Sequence, residues 1–461
     1  MTHTEYANFK RIMEWYITDP DFREQMEKDI PDLVVQMGLA SGHSLILQAI
    51  HVIHQGRFES EDHSDNPYIR EYAQRNALVT ASVRKRVQRE SFAADGIWQY
   101  ANVVRNRCRM ESRMVWLHPN IYYYPACFEL SRGCRVQCPF CGLGAETWKA
   151  DFKYTQENAR LWRNILQITR ELLGNVIAAS PCYFATEPLD NPDYEKFLSD
   201  MKEVFGSVPQ TTTAVAERDP ERIRNLIRMI GERELRETNA LRLSIRNLSQ
   251  FYQIMNLYTA EELENVELLP NNPESVFHYS ASGRAARYNE KVPGNKTVRY
   301  SISCLAGIRV NMSAGTISFV EPELPDQDYP LGIHTREKVC FHDAESYREG
   351  LVRLFRSYAF ASLPYYIPVQ LNRNVQVKYT GKDICLIGDG AGYRMNSHPM
   401  LRQAMKKLKK GIEPKKLSEE LGAFGLIEEK LFSLLNELYI RGYLCLKSDY
   451  INMQWPHHVQ D

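Results

Sequence analysis

Residues 129 to 142 read Glu-Leu-Ser-Arg-Gly-Cys-Arg-Val-Gln-Cys-Pro-Phe-Cys-Gly, with thiols at Cys134, Cys138 and Cys141. A short apolar run, Ala126 to Leu130, leads into this C-x3-C-x2-C triplet. Such a spacing wraps a loop around one corner of a metal cluster, because thiolates are the ligands that iron–sulfur clusters take. Three ligands leave one iron of a four-iron cube without a protein thiolate, open to a small chelating molecule. Two blander readings stand beside it: three unrelated buried cysteines, or a zinc site. Zinc usually takes four ligands in two close pairs, and no partner pair of cysteines lies elsewhere in the chain.

Composition narrows the classes further. Lys plus Arg and Asp plus Glu are both 57, so the formal net charge is zero. A bulk nucleic-acid binder carries a basic excess, which is missing here. The 461 residues suffice for several domains, and 44% of them are hydrophobic. No run approaches the roughly 18 apolar residues of a membrane span, and the start is too polar for a secretory signal. Of the ten cysteines, Cys108, Cys127, Cys182, Cys304, Cys340, Cys385 and Cys445 lie singly outside the triplet. Scattered thiols fit a reducing, cytoplasmic setting better than a disulfide framework.

The pattern along the chain predicts helices over residues 1 to 55, with a second helix starting at Asp19-Pro20. Residues 56 to 75 read as a polar loop, and Ala77 to Arg113 as helical. From Ala126 to about Tyr300 strands and helices alternate, which predicts parallel β/α units. The predicted strands are Cys127–Leu130, Val176–Phe184, Thr211–Val215, Leu241–Ile245 and Val266–Leu269. A hairpin is expected at Ile308–Met312 and Thr316–Val320. In parallel β/α folds, sites lie at the carboxyl ends of the strands.

The cysteine triplet resembles the motif of the radical S-adenosylmethionine superfamily, and the strand ends carry further likenesses. Ala185-Thr186-Glu187-Pro188-Leu189-Asp190-Asn191-Pro192 resembles that family's G-G-E-P-L-x-N-P motif, with Ala185 and Thr186 where glycines are usual. The resemblance implies a [4Fe-4S] cluster on Cys134, Cys138 and Cys141, with S-adenosylmethionine on its open iron. It implies that Glu187 pairs with the methionine ammonium, with Thr186 beside it. Ser244 and Arg246, at the end of the fourth predicted strand, would reach the ribose and carboxylate. Phe140 would pack on the adenine, beside Gly142. Gly283-Arg284 resembles an S-x-G-R-A motif found late in several such barrels, and would touch substrate or cofactor. The later cysteines lack a C-x2-C pair, so a single cluster is expected.

Residues 368 to 450 read as strands followed by three helices, which resembles the winged-helix recognition element of enzymes that modify ribosomal peptides. Such a domain adds a leader peptide as an extra strand at a sheet edge. The opening segment is similar to leader segments of some large precursor peptides. Taken together, the likeness is to the proteusin-type peptide epimerases. It implies an α/β chain built around a partial (β/α)6 barrel at 126–300. Around that barrel it implies a helical segment at 1–55, a helical linker at 56–125 and a hairpin extension at 301–367. A recognition domain at 368–461 completes it. The implied reaction is removal of a Cα hydrogen from an L-residue and return of one from the opposite face by a thiol. The implied partners are a precursor peptide and an electron donor such as flavodoxin or ferredoxin, with no nucleic acid or membrane. Epimerase relatives carry a Pro-Cys pair after the hairpin, where this chain has Pro322-Glu323. Cys340 and Cys304 are the remaining candidate donors, with Glu323 in the diverged position. Cross-linking, C–C cleavage or residue excision by the same barrel are the alternatives, as is a peptide- or DNA-binding protein without catalysis.

Overall fold

The computed structural model describes residues 1–56, 65–110, 123–275, 280–290, 305–388, 391–422 and 427–449. Its elements form a mixed α/β chain that divides into two compact units. One gathers Met1–Arg86, Phe128–Arg163 and Ala178–Val298; the other gathers Val87–Cys127, Asn164–Ile177 and Arg299–Asp461. No described helix is long and apolar enough to cross a membrane.

The first unit begins with helices. Thr2 caps His3–Thr18 in a reciprocal box with Glu5, which satisfies two of the helix's unpaired N–H groups. Asp19 ends that helix and caps the next, Pro20–Lys28, with Pro20 in the first turn. Phe9, Ile12, Met26 and Ile46 are fully buried in one cluster that Tyr68 and Ile69 complete. Burying each such side chain is worth roughly 2–3 kcal/mol. The helical pattern therefore holds over the first fifty residues. The polar stretch after it is shorter than expected. Asn66 accepts the N–H groups of Tyr68 (3.0 Å) and Ile69 (3.4 Å), so helix Pro67–Arg86 starts inside the expected loop. The next helix, Asp95–Arg109, follows a break, so the helical stretch from Ala77 is divided between two helices.

Strand β1 (Tyr124–Glu129) leads to the short pair β2 (Ser131–Arg132) and β3 (Ala150–Asp151), which brackets the thiol loop. Strands β4 (Thr211–Thr213), β5 (Leu241–Ile245) and β6 (Glu267–Pro270) form a parallel sheet in that order. Leu241, Leu243 and Ile245 are buried on one face. The period of two turns Arg242 and Ser244 to the other, where Thr212 accepts from Arg242 at 2.9 Å. The strand expected over Val176–Phe184 is not one. Gly174 takes φ +96°, and Asn175–Ala179 close into a short 3-10 turn. Pro181 has no N–H to give a ladder, and its carbonyl accepts from Phe128 N–H at 3.0 Å. Val176 to Ala179 are buried and apolar, a pattern that burial alone does not assign to strand.

In the second unit, β7 (Leu305–Asn311), β8 (Thr316–Pro322) and β9 (Ile333–Cys340) run antiparallel, with β1 beside β7. The expected hairpin is present, with Gly315 at φ +59° in its turn, and β9 extends it to a meander. Helix Ala344–Tyr358 covers β8 and β9, with Phe355 and Tyr358 against Phe319. Further on, β10 (Val369–Leu371) pairs with the last described strand, β14 (Leu444–Leu446). Between them, β11 (Gln376–Thr380), β12 (Asp383–Ile387) and β13 (Gly392–Asn396) form an antiparallel meander. Helices Pro399–Leu408, Pro414–Gly422 and Glu428–Ile440 follow. Strands, three helices and a closing strand match the expected order, with β10 and β13 added.

Candidate functional site

The thiol loop is held by backbone-directed hydrogen bonds. Gly133 takes φ +79°, and a Cβ there would stand 2.3 Å from the Thr147 carbonyl, so only glycine fits the approach. Gln137 adopts φ +50°. Its side-chain amide donates to the carbonyls of Cys134 (2.6 Å) and Glu146 (2.9 Å), stapling the turn from within. Arg284 closes it from outside. Its Nε donates to the Cys138 carbonyl at 2.9 Å, one Nη to Ala145 at 2.7 Å, and its backbone N–H to Cys141 at 2.9 Å. Gly283 takes φ +56°, and a Cβ on it would lie 2.5 Å from the Gly142 carbonyl. The Gly283-Arg284 pair thus clamps the loop. Sequence reasoning placed it against substrate or cofactor.

The three thiols share one electrostatic neighbourhood. Burial pushes the Cys138 thiol up to about 12, and Cys134 and Cys141 add to the rise while Arg246 opposes it. Burial also raises Cys134, against backbone N–H groups of Gln137 and Val136 that point at it. Among the described residues, no three His, Cys, Asp or Glu side chains converge as a preformed metal site. The thiols are neighbours in the field and are not drawn onto one point.

Glu187 lies at the end of β4, almost fully buried. It accepts from Thr213 Oγ1 (2.7 Å) and from the N–H groups of Ala214 (2.8 Å) and Leu189 (3.1 Å). Burial nonetheless raises its carboxyl to about 7. Thr186 is half-buried beside it. Arg246 pairs with Glu217 at 2.6 Å, and Gln250 holds Glu217 in turn at 2.7 Å. The Arg246 Nε and one Nη of Arg284 are buried donors without a partner. Ser244 Oγ accepts from Asn271 at 2.8 Å. The Phe140 ring meets Tyr288 edge-on at 6.4 Å. The first unit therefore assembles the three cysteines, Phe140, Gly142, Thr186, Glu187, Ser244, Arg246, Gly283 and Arg284.

Two site residues escaped sequence reasoning. Glu129, fully buried at the end of β1, accepts the Ala185 N–H at 2.9 Å. It fixes the backbone where the two usual glycines are replaced. Gln137 is the other, and its left-handed turn has no side-chain signature. A charged residue ending an apolar strand was the available signal for Glu129.

The remaining candidates lie in the second unit. Cys340 ends β9 and is exposed. Burial raises the Glu323 carboxyl, against the Arg107 guanidinium. Nearby Glu321 is buried between Arg107 (2.6 Å) and Arg336 (2.7 Å), two ion pairs that hold its carboxyl far below the usual range despite burial. Cys304 falls outside the described residues.

No family model and no solved structure matches the chain. It is 31% identical over 274 residues to uncharacterized protein y4wI of Sinorhizobium fredii (strain NBRC 101917 / NGR234). That match covers 58% of this chain and 52% of the relative, so the chain spans about half the length of the curated protein it matches.

Proposed function

We propose that the protein is a radical S-adenosylmethionine enzyme that modifies a ribosomally made precursor peptide, through Cα hydrogen abstraction and L-to-D epimerisation. The observation that carries the reading is the neighbourhood of Cys134, Cys138 and Cys141 around one loop, with Glu187 and Arg246 beside them. Thiols whose pKa is raised by burial and by one another, as at Cys138, are stabilised as thiolates by a bound cation. Those three cysteines would hold a [4Fe-4S] cluster which, with S-adenosylmethionine on its open iron, would supply the hydrogen-abstracting radical. The unpartnered donors of Arg246 and Arg284 suit a ligand carboxylate. Glu187, held by Thr213 and Ala214 at the end of β4 and by Leu189, shapes the backbone that would face a ligand ammonium. Ser244 offers a hydroxyl from the sheet's polar face. The strands and three helices near the C-terminus would hold the leader on a sheet edge, β11 or β13, the outer strands among the described residues.

Cys340 is the described candidate for the returning hydrogen. Glu323 stands among buried charges, beside Arg107, Glu321 and Arg336. The reading is tested by co-expression with a precursor peptide in deuterated water, followed by tandem mass spectrometry. Deuterium at single Cα positions with no other change supports epimerisation. Loss of hydrogens or of a larger fragment assigns cross-linking or excision. An unmodified peptide, beside an enzyme that makes no deoxyadenosine on reduction, overturns the enzyme reading altogether.

A further inference from the structure

Away from the thiol loop, the first unit contains a cavity of about 190 Å³. Its walls are the helices His3–Thr18 and Pro67–Arg86, the helix Glu232–Thr238 and strand β6. None of the cysteine-loop residues lines it. The volume falls below the roughly 300–1,000 Å³ of pockets for drug-sized ligands, so it suits something smaller.

The charges on its walls are unevenly matched. Lys10 donates to Glu14 and to the carbonyls of Leu263 (3.0 Å) and Val266 (2.8 Å), which uses all three of its N–H groups. Arg75 is taken by Glu71 (2.9 Å) and Glu264 (2.7 Å). Beyond the backbone ladder of β6, the Glu267 side chain has no ion pair or hydrogen-bond partner among the described residues. It lies close enough to Glu14 for the two carboxylates to repel each other. Two carboxylates on that wall thus face the Lys10 ammonium, with the Arg11 guanidinium acting on Glu14 as well. Arg236, on another wall, has no ion pair among the described residues, and its Nε is buried without a partner. The Thr18 hydroxyl, fully buried, also lines the cavity without a partner. Groups desolvated without partners each cost free energy, which a ligand that supplies the partners recovers.

We propose that this cavity binds a small zwitterion, an amino acid or a molecule of the same charge pattern. Its ammonium lies between Glu14 and Glu267, and its carboxylate lies on Arg236. Neither a simple anion nor a simple cation answers both walls. The site does not depend on the cysteine loop or on any chemistry performed there.

The test is thermal unfolding and isothermal titration of the full chain with the L-amino acids one at a time, beside acetate and methylammonium. At least one amino acid raises Tm saturably, and neither half-molecule does so at equal concentration. Glu267→Gln and Arg236→Gln each weaken binding about tenfold or more, the loss of one charge-assisted contact. Neither side chain has a partner to lose among the described residues, so both variants should keep the fold; Thr18→Val provides a further variant that changes no charge. Cys138→Ala leaves binding unchanged, which separates this cavity from any aminocarboxylate site at the thiol loop. The proposal falls if no amino acid shifts Tm, if the shift survives in both charge variants, or if Cys138→Ala abolishes it.

Discussion

Arg284 reaches three carbonyls of the thiol loop, at Cys138, Cys141 and Ala145, and also donates to Gln137 at 3.2 Å. A lysine keeps the charge and loses the planar fork. Losing two or three such bonds, each worth roughly 1 kcal/mol, should weaken retention of a cluster by about tenfold to a hundredfold. Iron and sulfide per chain after anaerobic reconstitution, and their loss to a chelator, measure this for Arg284→Lys. Retention equal to the parent would make the clamp idle. Glu187 makes a different prediction. Its folded carboxyl, raised to about 7 from 4.5, binds its proton more tightly than the unfolded chain does. Stability therefore falls as pH rises from about 4.5 to 7 and levels off above, by up to a few kcal/mol. Glu187→Gln should flatten that part of the profile in urea titrations taken at several pH values. An unchanged slope would place the titration on another group.

At the scale of elements, Glu321 joins strand β8 to helix Asp95–Arg109 through Arg107, and to β9 through Arg336. Arg336 goes on to the carbonyls of Leu446 (3.3 Å) and Lys447 (2.7 Å) at the end of β14. Removing the central charge leaves two guanidiniums buried, which costs about 3–5 kcal/mol. Glu321→Gln should lower the unfolding free energy of the second unit by that amount at pH 7, read as a lower urea midpoint. Because the folded carboxyl is depressed, its stabilisation is present above about 4.5 and lost as pH falls toward the folded value. The difference between parent and variant should therefore shrink in acid. This network was illegible in sequence, since its members stand at positions 107, 321 and 336 and only folding brings them together. The local elements were far more legible. Asp19-Pro20 announced a cap, Leu241–Ile245 a strand, and the leucines of Glu428–Ile440 a helix face. The thiol loop could be read because its cysteines are close in sequence. Its clamp could not, because Arg284 acts across 139 to 146 residues of chain. Val176–Phe184 misled because burial, not pairing, made it apolar.

For the whole molecule, the strands and three helices near the C-terminus share a compact unit with earlier parts of the chain. Gly442 takes φ +85°, where a Cβ would stand 2.4 Å from the Arg107 backbone nitrogen, and Asn106 donates to the Ile440 carbonyl at 2.9 Å. A chain ended at residue 367 removes β14, strips Arg336 of its carbonyl acceptors and uncovers the helix Asp95–Arg109. It should lose cooperative unfolding in the second unit, which circular dichroism and urea titration would register. A gentler change separates recognition from folding. Alternate N–H groups of an edge strand face away from its sheet, so of the two neighbours Arg394 and Met395 on β13, one presents its N–H outward. Proline at that position leaves the ladder to β12 intact and removes one bond to an added strand. Of Arg394→Pro and Met395→Pro, one should keep the parent Tm within a few degrees and bind a fluorescent precursor leader about tenfold more weakly. The other should lose a ladder bond and melt earlier. If both bind the leader as the parent does, β13 is not the docking edge, and the same pair of substitutions at Lys378 and Tyr379 then tests β11.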